Sequence, residues 1–347
     1  MVRQASEMAK GIATMARGTL LEVRDLEVAF TQEGETVTAV HGVSFDVHEG
    51  EVIALVGESG CGKSTVVNAI LNLLPPSGHI TGGAMRFRRA DGDVVDIAAT
   101  AKFGNTMREL RGKEIAMIFQ EAAAALDPVY TVGSQIAETL TYNTDLKRSG
   151  ISSFVIELLR RVGIPSPEVR AKSYPFELSG GMNQRAMIAM ALAAGPRLLI
   201  CDEPTTALDV TIQGQILELI ERIKAESGNA IVFITHDLAV VAEIADRIAV
   251  MYLGRQVEVG SKQAIFTGPL HPYTRGLFAS VPVLGEKSRE LVPIPGEVPS
   301  SSAGIRGCPF ADRCGEAMER CFESPPPRVE PSPAHTVQCW LYAEERS

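Results

Sequence analysis

The sequence predicts an α/β protein, because short apolar runs of strand length alternate with segments of helical periodicity along most of the chain. The 347 residues are 45% apolar, 5% aromatic and 22% charged, a globular composition that is enough for one large or two moderate domains. Between residues 57 and 65 the segment GESGCGKST follows an apolar run and precedes a helical pattern. A strand, a tight loop and a helix in that order belong to the same fold class.

Charge and hydropathy narrow the classes of partner. The formal net charge is −9, which argues against a broad basic surface, so nucleic acid is not an expected partner. The first 21 residues do not read as a secretion signal, and no segment approaches the about 20 apolar residues that span a bilayer. We therefore expect a chain in the cytoplasm, whose role at a membrane would depend on other chains.

The predicted elements begin with two strands. Residues 20–30 and 36–47 alternate apolar and polar side chains, as half-buried antiparallel strands do. The apolar run at 52–56 predicts a buried strand, and residues 65–74 predict a helix that ends before Pro75. Further strands are predicted at 115–119, 197–201, 230–234 and 247–252.

Two regions depart from this alternation. Residues from about 121 to 195 are mostly helical in pattern and predict an inserted helical subdomain. From about residue 282 the chain becomes rich in proline, glycine and serine, which predicts a linker or an irregular tail.

The glycine-rich segment predicts a phosphate-binding loop. Without Cβ atoms the backbone can curl so that its N–H groups converge on phosphate oxygens, and the N-terminus of the following helix favours an anion. Lys63 would reach the β- and γ-phosphates, and Ser64 would bind Mg²⁺. An ordinary glycine-rich turn is the alternative. The predicted nucleotide contacts are Gly57, Glu58, Ser59, Gly60, Cys61, Gly62, Lys63, Ser64 and Thr65.

Two further segments point to nucleotide chemistry. In RLLICDEP an apolar strand ends in Asp202, suited to the magnesium shell, and Glu203, suited to polarise an attacking water. A surface Asp-Glu pair is the alternative. In LSGGMNQR, Ser179, Gly180 and Gly181 precede a helical run, so a second helix N-terminus exposes N–H donors for an anion, or is simply a capped helix start.

The order of these motifs resembles the ATP-binding cassette (ABC) ATPases over about residues 20–262. That resemblance implies a P-loop NTPase fold with a RecA-like core, an antiparallel β subdomain and an inserted α-helical subdomain. It also implies that two cassettes pair head to tail, with each ATP between the phosphate loop of one chain and the LSGG segment of the other.

The resemblance assigns roles to four more residues by position. Phe30 corresponds to the aromatic that stacks on adenine, and Gln120 to the residue that senses Mg²⁺ and the attacking water. Asp209, in the segment ALD, corresponds to an aspartate at the contact between cassettes, and His236 to the histidine at the γ-phosphate. Taken alone, Phe30 fits a core position, Gln120 a solvated loop and His236 a cap or a surface site.

The chain beyond residue 262 resembles the C-terminal extension of dipeptide and oligopeptide importer ATPases, including some nickel importers. The segments that carry this resemblance are GPLHPYTRGLFASVP, IPGEVPS and GCPFADRCGEAMERC. Two segments depart from the group: QEAAAALDP after Gln120, on a surface that would contact a permease, and SSSAGIRG, which lacks a proline. The expected domains are thus 20–262 and 263–347.

Four of the six cysteines lie in this extension: Cys308, Cys314, Cys321 and Cys339. In a reducing compartment clustered cysteines favour a metal over disulfides. Their spacing matches neither a zinc pattern nor a ferredoxin pattern. The resemblance implies a structural [4Fe–4S] cluster; Zn²⁺ and unligated thiols or disulfides are the alternatives.

The resulting hypothesis is an ATPase subunit that powers uptake of short peptides from the cytoplasmic face of the membrane. Its implied partners are two transmembrane permease subunits, a second and related ATPase chain, and an extracytoplasmic solute-binding protein. Alternatives are an importer of nickel or another small solute, a non-import ABC ATPase, or a redox or metal sensor built on the cysteines.

Overall fold

The computed structural model describes residue 15 and residues 18–32, 34–206, 208–280, 293–299 and 305–343. Ala207 of the ALD segment and most of the proline-rich stretch from 282 lie outside the described residues. Contacts divide the chain into two compact units, which we describe separately. The first is Met1–Glu22, Asp46–Glu51 and Met85–Val232, and the second is Val23–Phe45, Val52–Ala84 and Phe233–Ser347.

The strands and helices alternate as the sequence predicts. Up to residue 118 the elements are β1 (Thr19–Gln32), β2 (Glu35–His48), β3 (Val52–Val56), α1 (Lys63–Ile70), β4 (Gly78–Arg88), β5 (Val94–Asp96), α2 (Asn105–Glu109) with a π-helical turn (Leu110–Glu114), and β6 (Ile115–Ile118). From 122 to 192 they are α3 (Ala122–Ala125), α4 (Val132–Asn143), α5 (Arg148–Arg161), α6 (Pro167–Arg170), a 3₁₀ turn (Pro175–Glu177) and α7 (Gly180–Leu192).

The remaining elements continue the pattern and then form the C-terminal part. They are β7 (Leu198–Asp202), α8 (Val210–Ser227), β8 (Ala230–Thr235), α9 (Leu238–Ile244), β9 (Arg247–Tyr252), β10 (Arg255–Ser261), α10 (Lys262–Thr267) and α11 (Pro272–Ala279). After residue 305 they are a 3₁₀ turn (Ala311–Arg313), α12 (Glu319–Glu323), β11 (Arg328–Ser332), β12 (His335–Gln338) and a 3₁₀ turn (Trp340–Tyr342).

The strands form two sheets. One has the order β2-β1-β4-β5 and the other the order β11-β12-β10-β9-β3-β8-β7-β6. In the larger sheet, β3 pairs parallel with β9 and β6 pairs parallel with β7, whereas β10 runs antiparallel to β9 and to β12. Parallel pairs joined through helices are the mark of an α/β fold, so the predicted class is confirmed.

The wholly apolar runs of the sequence are the buried strands. All five residues of β3 and all six of β8 are buried, because a strand covered on both faces has no side that tolerates polar groups. We call the described residues beyond 262 the C-terminal segment. In the second unit, this segment packs against β3 and β9 through Tyr252, Tyr273 and Phe310, whose ring centroids lie 4.7 to 5.3 Å apart.

The first helix is shorter than the sequence predicts. It was expected over 65–74 but ends at Ile70, four residues before the predicted end. Asn72 takes a left-handed backbone with φ of 50°, and the N–H groups of Asn72 and Leu73 donate to the carbonyls of Ala69 and Asn68. These bonds satisfy the last carbonyls of the helix, so the chain turns away before it reaches the prolines.

None of the helices in the described ranges combines the length and the apolar character that crossing a bilayer requires.

Candidate nucleotide-binding site

The phosphate loop joins β3 to α1 in the second unit, as the sequence predicts. Gly57 has a φ of 152°, and a Cβ atom there would overlap the carbonyl oxygen of Met251 and lie 2.8 Å from the Sγ atom of Cys61. Gly62 has a φ of 96° and occupies the N-cap of α1. The loop therefore needs glycine at both ends, for close packing at the first and for a left-handed backbone at the second.

Lys63 is the first residue of α1, and its ammonium group lies inside the loop. Its Nζ atom donates to the carbonyl oxygens of Gly57 at 2.8 Å and Glu58 at 3.0 Å. The side chain is buried, whereas Ser64 directly after it is exposed at the start of the helix. A buried cation beside a helix N-terminus is an arrangement suited to bind phosphate.

Glu58 is held by three groups that the motif alone does not reveal. Its N–H donates to the hydroxyl of Tyr273 at 2.9 Å, its carbonyl accepts from Lys63, and its carboxylate accepts from both terminal nitrogens of Arg313. The N–H of Glu58, one of the predicted nucleotide contacts, is thus engaged within the protein. Cys61 is buried in the same loop, and burial raises the pKa of its thiol.

Two further predicted residues lie in the second unit. Phe30 is half-buried near the end of β1, and its ring faces Gly78, where a Cβ would lie 2.8 Å from the ring edge. His236 is exposed immediately after β8. Asp237, next to it, caps α9 by accepting from the N–H of Ala239 at 2.8 Å. The cap thus belongs to Asp237, which leaves the ring of His236 at the surface of the unit.

In the first unit, Asp202 is the last residue of β7 and Glu203 follows it. Glu203 has a left-handed backbone with φ of 46°, a conformation that costs a residue other than glycine about 1 kcal/mol or more. Its carboxylate accepts from the hydroxyl of Thr206 at 2.9 Å. Strain of this kind is characteristic of functional positions, and here it sets the direction of a half-buried carboxylate.

The LSGG segment begins α7, as predicted. Ser179 is the N-cap residue and accepts from the N–H of Met182 at 3.3 Å, and both Ser179 and Gly180 are exposed. Gly181 packs against Ile212 of α8. The buried Gln184 donates to the carbonyl of Pro204 at 2.7 Å, which ties this helix directly to the turn that holds Glu203.

Asp209 and Gln120 also lie in the first unit. Asp209 is the exposed N-cap residue of α8 and accepts from the N–H of Ile212 at 3.0 Å. Gln120 is exposed two residues after β6 ends at Ile118. Each of these side chains thus lies at the end of an ordered element and at the surface of its unit.

The cysteines of the C-terminal segment come together, but not as a metal centre. Cys308, Cys314, Cys321 and Cys339 line one pocket whose free space measures about 10 Å³, at most the room of a single water molecule. Throughout the described ranges, no three or more His, Cys, Asp and Glu side chains are placed to hold a metal ion. The prediction of a [4Fe–4S] cluster is therefore wrong, and the zinc alternative finds no support.

The environment of these sulfurs is apolar. All six cysteines are free. Burial raises the pKa of Cys308 to about 12 and that of Cys339 to about 11. Cys308 and Cys314 pack against the hydrophobic core of the second unit, where buried thiols behave as small apolar side chains.

A buried strand, a glycine-lined loop and a helix that opens with Lys63 and Ser64 define a P-loop nucleotide-binding protein. Residues 40–206 match the family described as ABC transporter, and residues 257–321 match the family described as oligopeptide/dipeptide transporter, C-terminal region.

Curated relatives extend the match over nearly the whole chain. The dipeptide transport ATP-binding protein DppD of Bacillus subtilis is 47% identical over 93% of this chain and 94% of its own length. The oligopeptide transport ATP-binding protein OppD of the same organism is 47% identical over 93% and 88%. A putative peptide import ATP-binding protein of Brucella ovis is 46% identical over 95% and 99%. The chain belongs to the ABC transporter ATPases, and none of these names describes an iron–sulfur protein.

Solved structures agree with this assignment. The ATP-binding cassette MJ0796, in a dimeric post-hydrolysis state bound to ADP and phosphate, is 25% identical, with a TM-score of 0.61 over 70% of this chain and 99% of that one. The cassette cbiO1 of Clostridium perfringens is 27% identical, with a TM-score of 0.60 over 73% and 92%. The predicted ABC fold is therefore confirmed.

Sequence reasoning missed the residues that hold the phosphate loop from outside. Tyr273 and Arg313 lie 215 and 255 residues beyond Glu58. The signals available were a tyrosine at the start of a helical segment and an arginine beside Cys314, and neither indicates a partner so distant in sequence.

Proposed function

We propose that this chain is the ATP-hydrolysing subunit of an importer that carries dipeptides or oligopeptides across the cytoplasmic membrane. The observation that carries this proposal is the presence of two matches in one chain, an ABC transporter ATPase at 40–206 and an oligopeptide/dipeptide transporter C-terminal region at 257–321. Relatives named for dipeptide, oligopeptide and peptide transport support the same solute class.

The phosphate loop supplies the binding energy for ATP in this proposal. The glycines leave main-chain N–H groups free of side-chain cover, and the N-terminus of α1 presents the positive end of its dipole. Lys63 is held by two loop carbonyls, and these bonds keep its ammonium group where the phosphates are proposed to bind. Phe30 is the proposed platform for adenine.

Glu203 is the proposed general base. It takes a proton from a water molecule as that water attacks the γ-phosphorus, the bond to the β–γ bridging oxygen breaks, and ADP and phosphate leave. The hydrogen bond from Thr206 and the left-handed backbone fix the carboxylate before the reaction, which reduces the cost of orienting it. Gln120 and His236 are proposed to position the water and to contact the γ-phosphate.

The chain carries oxygen donors suited to Mg²⁺, which binds carboxylate, carbonyl and hydroxyl oxygens. These are the hydroxyl of Ser64 in the second unit and the side chains of Gln120 and Asp202 in the first. When bound, the ion would neutralise charge on the phosphates.

The exposed start of α7 supports pairing with a second cassette. Ser179, Gly180 and Gly181 present a capped helix N-terminus at the surface, and we propose that it closes over the ATP of a companion chain, with Asp209 at the contact between them. Each nucleotide is then shared by two chains, so ATP stabilises the closed pair and loss of the γ-phosphate reopens it. The companion is proposed to be a related but different ATPase.

Closure would be passed to two permease subunits through the part of the helical subdomain around residues 121 to 150. In this proposal the ATPase is held at the cytoplasmic face by those permeases, and an extracytoplasmic protein delivers the peptide. The contacts with the solute then belong to the other chains.

The test is uptake by the assembled importer in membrane vesicles loaded with ATP. We expect accumulation of a radiolabelled dipeptide or tetrapeptide, and we expect it to stop when Glu203 is replaced by Gln in this chain. Uptake of ⁶³Ni²⁺ without any uptake of peptides would overturn the proposed solute class and leave the ATPase assignment intact.

A further inference from the structure

A bidentate ion pair connects the C-terminal segment to the phosphate loop. The Nη1 atom of Arg313 donates to Oε2 of Glu58 at 2.8 Å, and Nη2 donates to Oε1 at 3.1 Å. The Arg313 side chain is 6% exposed and that of Glu58 is 27% exposed. Two parallel charge-assisted hydrogen bonds fix the relative orientation of the two groups as well as their distance. The pair therefore constrains where Glu58 can lie.

Arg313 is itself held in place from several sides. Its Nε atom donates to the carbonyl of Pro295 at 2.9 Å, and Nη1 lies 3.3 Å from the hydroxyl of Tyr252. The guanidinium carbon is 5.7 Å from the ring centre of Tyr252 and 5.9 Å from that of Phe310. These contacts hold the guanidinium group in one position. Arg313 is therefore a rigid anchor for the glycine-rich phosphate loop.

The main chain of Glu58 is fixed in the same way. The hydroxyl of Tyr273, a fully buried residue of α11, accepts its N–H at 2.9 Å. The carbonyl of Glu58 in turn accepts from Lys63, the lysine of the phosphate loop, at 3.0 Å. Every polar group of Glu58 is therefore bonded, and one of those bonds leads to the ammonium group that is proposed to bind phosphate.

We propose that Arg313 is a positioning residue for ATP binding, acting through Glu58. The C-terminal segment thereby sets the conformation of the phosphate loop, in addition to any role that it has in recognising partners. Both carboxylate oxygens of Glu58 accept hydrogen bonds from Arg313, so the Glu58 side chain is not available to contact a phosphate. Its function is to transmit the position of Arg313 to the carbonyl that holds Lys63.

A preorganised loop binds its ligand more tightly because the cost of ordering the loop has been met during folding. Loss of a charge-assisted pair that holds such a loop is expected to weaken binding of Mg·ATP by about tenfold. The rate of the chemical step should change little, since the hydrogen-bond partners of Arg313 are Glu58, Pro295 and Tyr252, and none of these is proposed to act in the chemistry.

The experiment is a double-mutant cycle on the full-length chain, with Arg313→Gln, Glu58→Gln and the double variant. The dissociation constant for Mg·ATP is measured with a fluorescent ATP analogue, and kcat and KM for ATP are measured in the assembled importer. Each single variant should bind ATP about tenfold more weakly with kcat nearly unchanged, and the double variant should bind no more weakly than either single one. Arg313→Lys, which keeps the charge but loses the fork, should recover part of the affinity.

Arg275→Gln is the matched control. Arg275 lies in the same segment and pairs with Glu316 at 2.9 Å, but both side chains are about half exposed and neither belongs to the phosphate loop. Loss of a surface pair of this kind has little effect, so ATP affinity should stay at the wild-type level.

Three results would overturn the inference: wild-type affinity in Arg313→Gln, additive losses in the double variant, or an equal loss in Arg275→Gln. If Arg313→Gln does not fold, Glu58→Gln decides alone, because wild-type ATP affinity in that variant contradicts the inference. The inference rests on the ATP site of the proposed function. Failure of the wild-type chain to bind Mg·ATP would refute that function, whereas normal wild-type binding with unaffected variants refutes only the role of Arg313.

Discussion

Gly57→Ala is expected to destabilise the protein far more than the same change at Gly60, although both glycines lie in the phosphate loop. A Cβ at position 57 would overlap the carbonyl oxygen of Met251 and lie 2.8 Å from the Sγ atom of Cys61. The carbonyl belongs to β9, where Met251 is paired in register with Gln256 of β10. It therefore cannot yield without disturbing the sheet.

The magnitude follows from two contributions. Overpacking of a fixed core costs about 1–3 kcal/mol, and an unfavourable backbone region adds about 1–2 kcal/mol, against a total stability of about 5–15 kcal/mol. At Gly60, with φ of 79°, no atom lies within 4 Å of a built Cβ, so only the backbone contribution applies. The steric contribution is thus the difference between the two variants.

The assay is equilibrium unfolding in urea, followed by circular dichroism, on both alanine variants and the unmodified chain. We expect Gly57→Ala to lower the unfolding midpoint clearly more than Gly60→Ala, and to weaken binding of Mg·ATP as well. Equal midpoints for the two variants would refute the reasoning, because the close approach to β9 would then have no energetic effect.

Two more predictions concern single side chains. Glu203→Gln should lower kcat by about 100-fold or more while Mg·ATP binding persists and paired cassettes accumulate in size-exclusion chromatography; turnover within a few-fold of wild type would remove Glu203 from the role of base. Burial lowers the pKa of His271 to about 3 from its usual value near 6.5, so its protonation favours the unfolded chain. Its contribution to stability is present above about pH 6.5 and is lost as the pH falls toward 3. His271 caps α11 by accepting from the N–H of Tyr273 at 3.0 Å. His271→Asn keeps a capping acceptor and should flatten the thermal unfolding midpoint between pH 7 and 4, and an unchanged pH slope would contradict this assignment.

The sequence predicted those parts of the fold that depend on local patterns. The runs at 52–56 and 230–234, and residues 248–252 of the run at 247–252, are strands because complete burial leaves only apolar residues. Strands β4 and β5, and β10 to β12, were not predicted. In β4, exposed and half-buried residues alternate over the first seven positions and only Met85 and Phe87 are buried, so no sustained apolar run marks this segment, and the pairing that makes it a strand comes from its neighbours in the sheet.

Within the site, residue types were predictable and conformations were not. Spacing located Lys63 and Glu203, yet the left-handed backbone of Glu203 depends on the turn that Thr206 and Pro204 complete. The ion pair between Glu58 and Arg313 joins residues 255 positions apart, and no local pattern encodes such a contact. The cluster was expected from the family resemblance and not from the cysteine spacing, and neither carries information on cavity size. The four cysteines line a cavity of only about 10 Å³, and no metal-binding group is present among the described residues.

The central claim is that the loop between β3 and α1 binds Mg·ATP through Lys63. Equilibrium dialysis of the folded full-length chain against Mg·ATP tests it most directly, beside a Lys63→Ala variant whose folding is verified by circular dichroism. We expect the unmodified chain to retain ATP with a Kd in the micromolar range and the variant to lose nearly all of it. Equal retention by both chains, or none by the folded unmodified chain, would contradict the claim.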